Sequence, residues 1–351
     1  MRIGIDISQV VYGTGVSVYT KNLVENLLKI DDNNDYVLYA GSLRRKKDII
    51  KDFPKARVYP IPPTVSDILW NKFHVFPPEN LIGKLDVFHS SDWAQPPTKA
   101  FKVTTVHDLY HLKFPRLISP LIRDVHKRRL KWVISECDRV IVPSNSTKND
   151  LLDYGMKEEK IRVIAEAPSV SKATPEEVAR VKVKYHINGD YMLSIGIGKL
   201  KNTDNIIRAF HLARPSKSVK LVLAGRPSMH VEEQRNIRIV GHVPQEDLAG
   251  LLTGASALIF ASIYEGYGIP ILDAFACGVP VVTSTTASMP EVAGDAALLV
   301  DPHDPNSIKE GIEKVLRGPK AYVDKGSVRV KDFSWEKTAR MTLEVYKESG
   351  A

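Results

Sequence analysis

The sequence contains only two cysteines among its 351 residues, Cys137 and Cys277. This scarcity excludes a disulfide-rich secreted scaffold, and both residues fit small buried side chains in a reducing compartment. No uninterrupted apolar run approaches ~18 residues, so no transmembrane helix is predicted. Residues 1–6 carry an acid where a signal peptide is apolar, and we therefore expect a cytoplasmic protein.

The composition typical of disordered chains is also lacking. Hydrophobic residues make up 43% of the chain and charged residues 26%, which is the balance of a globular protein. The length is sufficient for two domains of ordinary size. The formal net charge of +8 is moderate for this length and fits a solvated surface, so we predict no nucleic-acid partner.

The most informative stretch is a glycine-containing turn that leads from a strand into a helix. Residues 257–261 form an apolar run of the length of a buried strand, and residues 274–278 are typical of a helix end with its terminal glycine. Pro270 suits the first helical turn, while Gly266 and Gly268 allow the backbone to approach a ligand closely. The backbone N–H groups at the start of this helix predict an anion site.

Two carboxylates, Glu265 and Asp273, bracket this predicted anion site. Asp273 lies about one turn into the helix, where side chains tilt toward the N-terminus, so both carboxylates can face the same mouth. Carboxylates repel phosphate but accept hydrogen bonds from hydroxyl groups that flank it. We therefore predict a nucleotide sugar as the ligand; the alternative is a polar surface turn that only caps the helix.

Residues 265–273 resemble the glutamate, seven residues, glutamate signature of retaining glycosyltransferases with the GT-B fold, in sequence family four. Flanking segments match as well, at residues 262–264, 276–282, 288–297 and 300–302. Asp273 is the departure, because the family usually has glutamate there. Its carboxylate sits about one C–C bond, ~1.5 Å, nearer the backbone, so a ribose contact is expected to be longer or bridged by water.

The resemblance implies an α/β fold of the GT-B type, with two Rossmann-like doubly wound domains facing across a cleft. We expect an acceptor-side domain over residues 1–170, a nucleotide-sugar-binding domain over 171–334, and a last helix over about 335–351 that packs back on the first domain. Proline and charge concentrate in residues 167–177, which we predict as the linker. Strands that alternate with helices are predicted in the first half at residues 2–7, 36–40, 57–61, 85–89, 103–106, 139–142 and 162–164.

A glycine loop follows the first predicted strand. Gly13 and Gly15 begin a Gly-x-Gly-x-x-Gly pattern, but Val18 occupies the third glycine position, which disfavours an NAD fingerprint. The resemblance implies that Gly13 and Gly15 lie over the diphosphate and the acceptor.

His107 follows the predicted strand at residues 103–106. The string His-Asp-x-x-His mimics a zinc pair, but that chemistry needs both histidines on one helix, and His107 falls at a strand end. Ligands sit at the carboxyl ends of strands in open α/β sheets. The resemblance implies that His107 faces the donor sugar and phosphate; a structural histidine is the alternative.

A second strand, glycine loop and lysine occur in the other half. A strand at residues 191–195 leads into a loop ending at Lys201, an arrangement that can cradle phosphate. The resemblance implies that Lys201 and Asn202 grip the diphosphate. Leucine stands where the family often has arginine, so Lys199 or Arg226 is expected to supply a second cation. The resemblance further implies donor contacts at Gly198, Arg226, His242, Val243, Leu248, Gly266, Tyr267, Gly268 and Ile269.

A basic amphipathic helix is predicted over residues 121–134, and a second basic cluster lies at residues 44–47. A solvated helix face is one interpretation. The alternative is peripheral contact with an anionic membrane surface, at the inner face of the cell membrane.

From the resemblance and these residues we expect a retaining hexosyltransferase. It would move a sugar from a nucleotide-diphospho donor, GDP-mannose by preference, to a glycan or lipid-linked acceptor. The residues expected to carry catalysis are Glu265, His107 and Lys201. Because the sequence has no Asp-x-Asp motif and Lys201 can neutralise phosphate, we expect no metal or other cofactor. The alternatives are a non-catalytic nucleotide- or lipid-binding scaffold, a nucleotide-sugar epimerase and an NAD-dependent oxidoreductase.

Overall fold

The computed structural model describes residues 1–213, 219–232 and 234–351. The chain divides into two compact units. Unit 1 comprises residues 1–166 and 335–351, and unit 2 comprises residues 167–334. Each unit is built on one sheet whose paired strands are all parallel.

The sheet of unit 1 has seven strands in the order β3-β2-β1-β4-β5-β6-β7. The order reverses between β1 and β4, which makes this the topological switch point, where ligands bind in open α/β sheets. The strands are β1 Arg2–Asp6, β2 Asp35–Gly41, β3 Arg57–Tyr59, β4 Val87–Ser90, β5 Phe101–Thr105, β6 Arg139–Val142 and β7 Ile161–Val163. The helices before residue 167 are α1 Gly15–Ile30, α2 Lys46–Asp52, α3 Pro63–Ser66, α4 Glu79–Ile82, α5 Tyr110–Lys113, α6 Pro120–Glu136 and α7 Asn145–Asp153.

Unit 2 carries a six-stranded sheet in the order β10-β9-β8-β11-β12-β13, and its switch point lies between β8 and β11. The strands are β8 Tyr191–Ile197, β9 Lys220–Pro227, β10 Ile237–Gly241, β11 Ala257–Phe260, β12 Val281–Ser284 and β13 Leu298–Val300. The helices are α8 Pro175–Lys184, α9 Thr203–Ala213, α10 Gln245–Thr253, α11 Ile269–Ala276, α12 Met289–Ala293, α13 Pro305–Arg317 and α14 Pro319–Arg329. Single turns of π-helix or 3₁₀-helix occur at Asp67–Lys72, Pro115–Leu117, Glu158–Lys160 and Val330–Asp332.

The last helix, α15 Trp335–Lys347, belongs to unit 1. Its Thr338 hydroxyl donates to the carbonyl of Ala165 at 2.7 Å, and its buried Tyr346 hydroxyl lies 2.7 Å from His89 Nδ1 on β4. Glu348, just beyond the helix, pairs with Arg139 and Arg162 of the same unit. These buried and paired contacts fix the segment to the first sheet.

Burial explains why these strands form. Every residue of β4, β11 and β12 is buried, as expected for strands of a parallel sheet covered on both faces. In unit 2 the apolar side chains of β8, β9 and β11 pack with those of α9 and α13 into one cluster that includes Met192, Leu221, Ile259, Phe210 and Ile312. The predicted architecture of two doubly wound α/β domains is therefore confirmed. Among the described residues, no helix is both long enough and apolar enough to cross a membrane.

Candidate functional site

The switch point of unit 2 brings two loops together. One follows β8 and ends at Lys201; the other follows β11 and contains Glu265. Lys201 Nζ lies 2.6 Å from Oε1 and 2.8 Å from Oε2 of Glu265. The Lys201 side chain is 37% exposed and that of Glu265 is 15% exposed, so the ion pair is open to solvent on one side. An ion pair this exposed contributes about 1 kcal/mol or less to stability, so fold stability alone gives little reason for its placement.

The stem of Lys201 passes over Gly196, at the end of β8. Gly196 has φ +92°, and a Cβ there would lie 2.7 Å from Lys201 Cγ. Gly225 of β9 packs against Gly196 in turn, with its own φ of +129°. Because L-residues with side chains rarely adopt such angles, glycine at position 196 both permits the backbone conformation and leaves room for the lysine. Lys201 Nζ also lies 5.6 Å from the centre of the Phe260 ring.

The turn between β11 and α11 is held from one side by hydroxyl groups. Ser284 and Thr286 donate to the carbonyl oxygens of residues 262 and 263 at 2.5 and 3.0 Å. The Ser288 hydroxyl lies 2.9 Å from the carbonyl oxygen of residue 265 and 2.5 Å from that of residue 267, so its one proton is shared between them. Gly268 precedes the helix with φ +121°, and Pro270 stands in the first turn as predicted. The first N–H groups of a helix have no carbonyl partner four residues back, so the positive end of α11 starts beside Glu265.

Asn202 has a different environment from the one expected for a ligand contact. Its side chain is buried, and its Nδ2 donates to the carbonyl oxygens of Ala261 at 2.9 Å and Pro302 at 2.6 Å. Its backbone adopts φ +60°, which asparagine tolerates better than most residues. Asn202 therefore links the loop after β8 to the segments that follow β11 and β13. These hydrogen bonds fix the backbone next to Lys201. A direct donor contact at Asn202 stays a prediction.

Asp273 does not point toward an open mouth in this structure. Its carboxylate is 2% exposed and accepts hydrogen bonds from the backbone N–H groups of Ser169 at 2.5 Å and Val170 at 3.2 Å, and from the Ser169 hydroxyl at 3.0 Å. Burial raises the pKa of Asp273 to about 7, although these hydrogen bonds oppose the shift. The expectation that both carboxylates face one mouth is thus not met for Asp273, because its oxygens are buried against the segment that begins unit 2.

The remaining predicted donor contacts fall into two groups. The residues buried around the two loops are Gly198, Gly266, Tyr267, Gly268 and Ile269. Arg226, near the end of β9, and His242, just after β10, are exposed, whereas Val243, also after β10, and Leu248, in α10, are half-buried. A Cβ at Gly198 would lie 2.3 Å from the Ser228 hydroxyl, so a side chain there would displace that hydroxyl from the Ile197 carbonyl, to which it donates at 2.9 Å. The structure thus places all of them in unit 2, and their roles toward a donor stay predictions.

Unit 1 contains a cavity of about 460 Å³ at its own switch point. Its lining includes Asp6 at the end of β1 and Ser91 and Asp92 just after β4. Gly13 lies in the exposed loop that follows β1, and Gly15, also exposed, is the first residue of α1. Thr14, between them, lines the cavity and caps α1. Gly13 has φ +66°, which explains why glycine stands there.

His107 lies directly after β5 and also lines this cavity. Its Nδ1 is 3.1 Å from Oε1 of Glu166, and the Tyr19 ring meets it edge-on with centroids 4.6 Å apart. Burial lowers the pKa of His107, but the hydrogen bond and charge of Glu166, with Asp92 and Asp108, outweigh burial and raise it. His107 lies outside α5, which carries His111, so the two histidines do not form a pair on one helix. Its contact with a donor stays a prediction, and a structural histidine paired with Glu166 stays the alternative.

Two family models match the chain over most of its length. Residues 13–167 match Glycosyltransferase Family 4, and residues 182–327 match Glycosyl transferases group 1. The chain belongs to the GT-B glycosyltransferases. The predicted glycosyltransferase family is confirmed, and so is the α/β fold with two Rossmann-like domains. Retention of configuration stays a prediction.

Known proteins similar to this glycosyltransferase include a mannosyltransferase matched in sequence and two proteins matched in structure. The O-antigen chain mannosyltransferase B of Escherichia coli is 28% identical over 281 residues, which are 74% of this chain and 74% of that protein. Sucrose-phosphate synthase from Thermosynechococcus elongatus superposes with a TM-score of 0.76 at 18% identity, over 99% of this chain and 98% of that one. Anabaena Alr3699/HepE, solved in complex with UDP-glucose, superposes with a TM-score of 0.74 at 14% identity, over 99% and 100%.

Three residues that shape the site of the glycosyltransferase were missed by sequence reasoning. Gly196 was seen only as part of a glycine loop, although its neighbour Gly198 was singled out. Ser288 was included in the resemblance without a role, yet its hydroxyl holds the Glu265 turn. Glu166 was assigned to no site, because it lies 59 positions from His107 and only the folded sheet brings them together. Among the described residues, no group of three or more His, Cys, Asp or Glu side chains is placed to hold a metal ion.

Proposed function

We propose that this glycosyltransferase moves a hexosyl group from a nucleoside-diphospho donor to an acceptor hydroxyl, with retention of configuration at the anomeric carbon. The observation that supports this proposal most is the Lys201–Glu265 pair beside the start of α11. An ammonium group, a helix N-terminus and a carboxylate are the three features that a sugar diphosphate requires: two stabilise the phosphates and one accepts hydrogen bonds from sugar hydroxyls.

The reaction breaks the bond between the anomeric carbon and the β-phosphate oxygen and forms a bond to the acceptor oxygen. The difficult step is the departure of a negatively charged diphosphate. Lys201 and the backbone N–H groups of Gly268 and Ile269, at the start of α11, would stabilise that charge in a preorganised site; Pro270 has no N–H, and that of Ile271 donates to the Gly268 carbonyl. An ammonium has three donors, and two already meet Glu265, so the third can reach a phosphate oxygen while the ion pair is kept.

Glu265 would hold the sugar by its hydroxyl groups and so place the anomeric carbon for attack. The departing phosphate can accept the proton of the acceptor hydroxyl, so no separate base is required. His107 is the residue of unit 1 that we propose contacts the donor, and its raised pKa favours the charged form beside a phosphate.

We propose GDP-mannose as the donor, supported by the mannosyltransferase among the relatives. GDP-mannose, UDP-glucose and UDP-N-acetylglucosamine are incubated with the full chain, and released nucleoside diphosphate is measured. The anomeric configuration of the product is read by NMR. An inverted product contradicts retention. Conversion of the donor to its epimer without diphosphate release indicates an epimerase, and binding without any turnover indicates a scaffold.

Lys201→Ala tests the role of the cation. Loss of one preorganised contact with a developing anion is expected to lower kcat/KM by about 10²–10³-fold, or ~3–4 kcal/mol in the barrier. Lys320→Ala is the matched control, because Lys320 is 85% exposed and pairs with Asp324 on its own helix, α14. A Lys201→Ala enzyme with kcat/KM near that of the control would contradict the proposed site.

We also propose that turnover needs no metal, since Lys201 and the helix N-terminus supply the positive charge. Activity in the presence of a chelator is expected to equal activity without it. Activity that is abolished by a chelator and restored by a divalent cation would overturn this part of the proposal.

We further propose that the outer face of α6 contacts an anionic membrane. Leu121 is 74% exposed at the start of this helix, and Lys127 and Lys131 lie one turn apart on its exposed face. An apolar residue beside basic residues suits the headgroup region of anionic lipid. At low salt the chain is expected to float with anionic vesicles. The double variant Lys127→Glu with Lys131→Glu is expected to reduce the fraction of the protein that floats. Lys320→Glu serves as control, and no flotation of the unmodified chain would exclude membrane contact.

A further inference from the structure

We propose, on the basis of the transferase function above, that Glu166 is a positioning residue of the transfer reaction. It holds Nδ1 of His107 and keeps this ring charged, so that Nε2 can donate to a phosphate of the donor. His107 directly follows β5, and Glu166 lies three residues after β7. Both therefore stand at the carboxyl edge of the unit 1 sheet, where open α/β sheets bind ligands.

The contact between these two side chains is buried. Nδ1 of His107 lies 3.1 Å from Oε1 of Glu166, and the two side chains are 13% and 5% exposed. An ionised carboxylate only accepts hydrogen bonds, so Nδ1 carries a proton and donates. Burying two charges has a desolvation cost that their attraction often fails to offset, so a buried ion pair is weak evidence for a role in stability. The effect of Glu166 on the histidine is the better explanation of its place.

The second nitrogen of the His107 ring is available to a ligand. Within the part of the chain that the structure describes, no hydrogen bond involves Nε2, which is also not fully buried. The His107 ring lines the cavity of unit 1. Because a charged imidazole has a proton on each nitrogen, Nε2 can donate to a phosphate oxygen while Nδ1 still donates to Glu166.

Other contacts fix the direction in which this ring points. Tyr19 of α1, which is 3% exposed, meets the His107 ring edge-on with centroids 4.6 Å apart. The Tyr19 hydroxyl lies 3.0 Å from Oγ1 of Thr105, the last residue of β5, and His89 Nε2 lies 2.9 Å from the same oxygen. The Thr147 hydroxyl donates to the His107 carbonyl at 3.3 Å. The ring and its backbone are thus held before any ligand binds, as a preorganised site requires.

The charges around His107 favour its protonated form. Burial lowers the pKa of His107. The hydrogen bond and charge of Glu166, followed by the charges of Asp92 and Asp108, act in the opposite direction and raise the pKa overall. Asp92 also faces Arg129, whose Nη1 lies 3.5 Å from it. Glu166 is thus the acid in direct contact with the ring, and its loss is expected to remove the largest contribution that favours the charge.

Two further titratable neighbours, Tyr19 and His89, are uncharged near pH 7. Burial raises the pKa of Tyr19 and lowers that of His89 to about 3. Neither of them therefore changes its charge in the pH range in which His107 is tested.

The test measures kcat/KM for release of nucleoside diphosphate at about pH 6 and about pH 8, with whichever of GDP-mannose, UDP-glucose and UDP-N-acetylglucosamine turns over fastest. If charged His107 meets the phosphate, kcat/KM falls as pH rises through its pKa, because kcat/KM reports the protonation state of the free enzyme. Glu166→Gln keeps an oxygen that can accept from Nδ1 but removes the charge, so the fall moves to lower pH. The ratio of kcat/KM at the lower pH to that at the higher pH is expected to rise at least about threefold in this variant. A Glu166 that only supports the fold would lower kcat/KM by the same factor at both pH values.

Glu136→Gln is the matched control. Glu136 Oε1 lies 2.8 Å from His74 Nε2, so this variant removes the same charge from another His–Glu pair of unit 1, and neither residue lines the cavity. Its ratio is expected to equal that of the unmodified chain. Burial raises the pKa of Asp273 to about 7, so a fall of kcat/KM in the unmodified chain does not by itself identify His107, whereas its displacement in Glu166→Gln does.

Glu166→Asp separates position from charge. It keeps the charge but shortens the side chain by one C–C bond, ~1.5 Å, so it is expected to lower kcat/KM at both pH values and to leave their ratio within about twofold. Circular dichroism establishes that each variant is folded. If Glu166→Gln is unfolded, Glu166→Asp decides, because kcat/KM equal to that of the unmodified chain at both pH values would overturn the positioning role.

Three results would overturn the proposal. They are an unchanged ratio in Glu166→Gln, an equal change of the ratio in Glu136→Gln, and a kcat/KM of the unmodified chain that rises from the lower to the higher pH. The proposed function fails separately: no release of diphosphate from any donor by the unmodified chain overturns the transferase function, whereas release with an unchanged ratio in Glu166→Gln overturns the role of Glu166 alone.

Discussion

Replacing Gly196 by alanine is expected to lower donor turnover strongly, although no charged residue is substituted. Gly196 has φ +92°, and a Cβ there would lie 2.7 Å from Cγ, 2.8 Å from Cδ and 3.0 Å from Cε of Lys201. Real Cβ atoms are essentially never found closer than 3.0 Å to a neighbour. The lysine stem must therefore shift from its position above Gly196. We expect this shift to carry the ammonium group away from its place beside Glu265.

The substitution has two separable costs. Forcing an L-residue into a positive φ costs roughly 1–2 kcal/mol in folding stability. Displacing Lys201 removes one preorganised contact with the leaving diphosphate, which is worth ~3–4 kcal/mol in the barrier, or about 10²–10³-fold in kcat/KM. The loss of the partly exposed ion pair adds about 1 kcal/mol at most to the stability term.

Gly155→Ala separates these costs. Gly155 has φ +87°, nearly the same angle, but no atom lies within 4 Å of the position its Cβ would take. Both variants are expected to lose about 1–2 kcal/mol in free energy of unfolding by urea titration. Only Gly196→Ala is expected to lose nucleoside diphosphate release and affinity for a nucleoside diphosphate.

The comparison can refute the reasoning in two ways. A Gly196→Ala enzyme that keeps kcat/KM within about threefold of the unmodified chain would show that Lys201 does not act from the position seen here. Equal losses of activity in both variants would show that backbone strain, rather than displacement of the lysine, is responsible. Circular dichroism and the urea midpoint establish that each variant is folded before its rate is interpreted.

Three further predictions concern buried polar groups. Asn202→Ala removes the side-chain donor to the buried Ala261 carbonyl and one of the two donors to the Pro302 carbonyl, which also accepts from Asn205. It is expected to lower the free energy of unfolding by about 1–3 kcal/mol in urea titration, and a loss under ~0.5 kcal/mol would contradict a structural role for these bonds. His107 has a raised pKa, so its contribution to stability is complete below the unfolded pKa near 6.5 and is lost as pH rises through the folded value. Glu166→Gln is expected to lower the pKa of His107, measured by NMR titration, so that its contribution to stability is lost at a lower pH. An unchanged pKa in this variant would contradict the pairing. Burial raises the pKa of Asp273 to about 7 in the folded chain, against 3.8 in the unfolded chain. Between these two pH values the carboxyl is protonated when the chain is folded and ionised when it is unfolded. Stability should fall with rising pH from about 4 to 7, by at most about 4 kcal/mol, and Asp273→Asn should flatten this slope; an equal slope in both proteins would argue against a raised pKa.

The strands and the overall architecture could be predicted because they depend on local pattern. Short apolar runs such as residues 257–261 and 139–142 correspond to β11 and β6 within one residue. The predicted linker at residues 167–177 was less accurate, since α8 begins at Pro175. Thr174 and Glu177 form a capping box at the start of this helix. This local signal of a helix start is present in the sequence, but the linker prediction used only the proline and charge content of the segment.

The parts of the site that depend on remote partners could not be predicted. Asp273 lies 104 positions from Ser169, and Asn202 lies 100 positions from Pro302, so no local rule reveals that these side chains are buried against carbonyl or N–H groups. Position along the helix correctly predicted where Asp273 stands on α11, but not which neighbour its carboxylate meets. Gly196 could not be predicted to matter either, because the space for its Cβ is taken by the Lys201 stem, which crosses this position only in the folded protein.

The membership of α15 in unit 1 has a consequence for how the chain is made. Residues 335–351 complete a unit whose other part ends at Glu166, so 168 intervening residues must leave the ribosome before His89 can meet Tyr346 and before Glu348 can meet its two arginines. Unit 2 is synthesised without such an interruption. Unit 2 can therefore fold during translation before α15 has been synthesised. Until then, the apolar surface of unit 1 that α15 covers stays exposed and can be bound by chaperones.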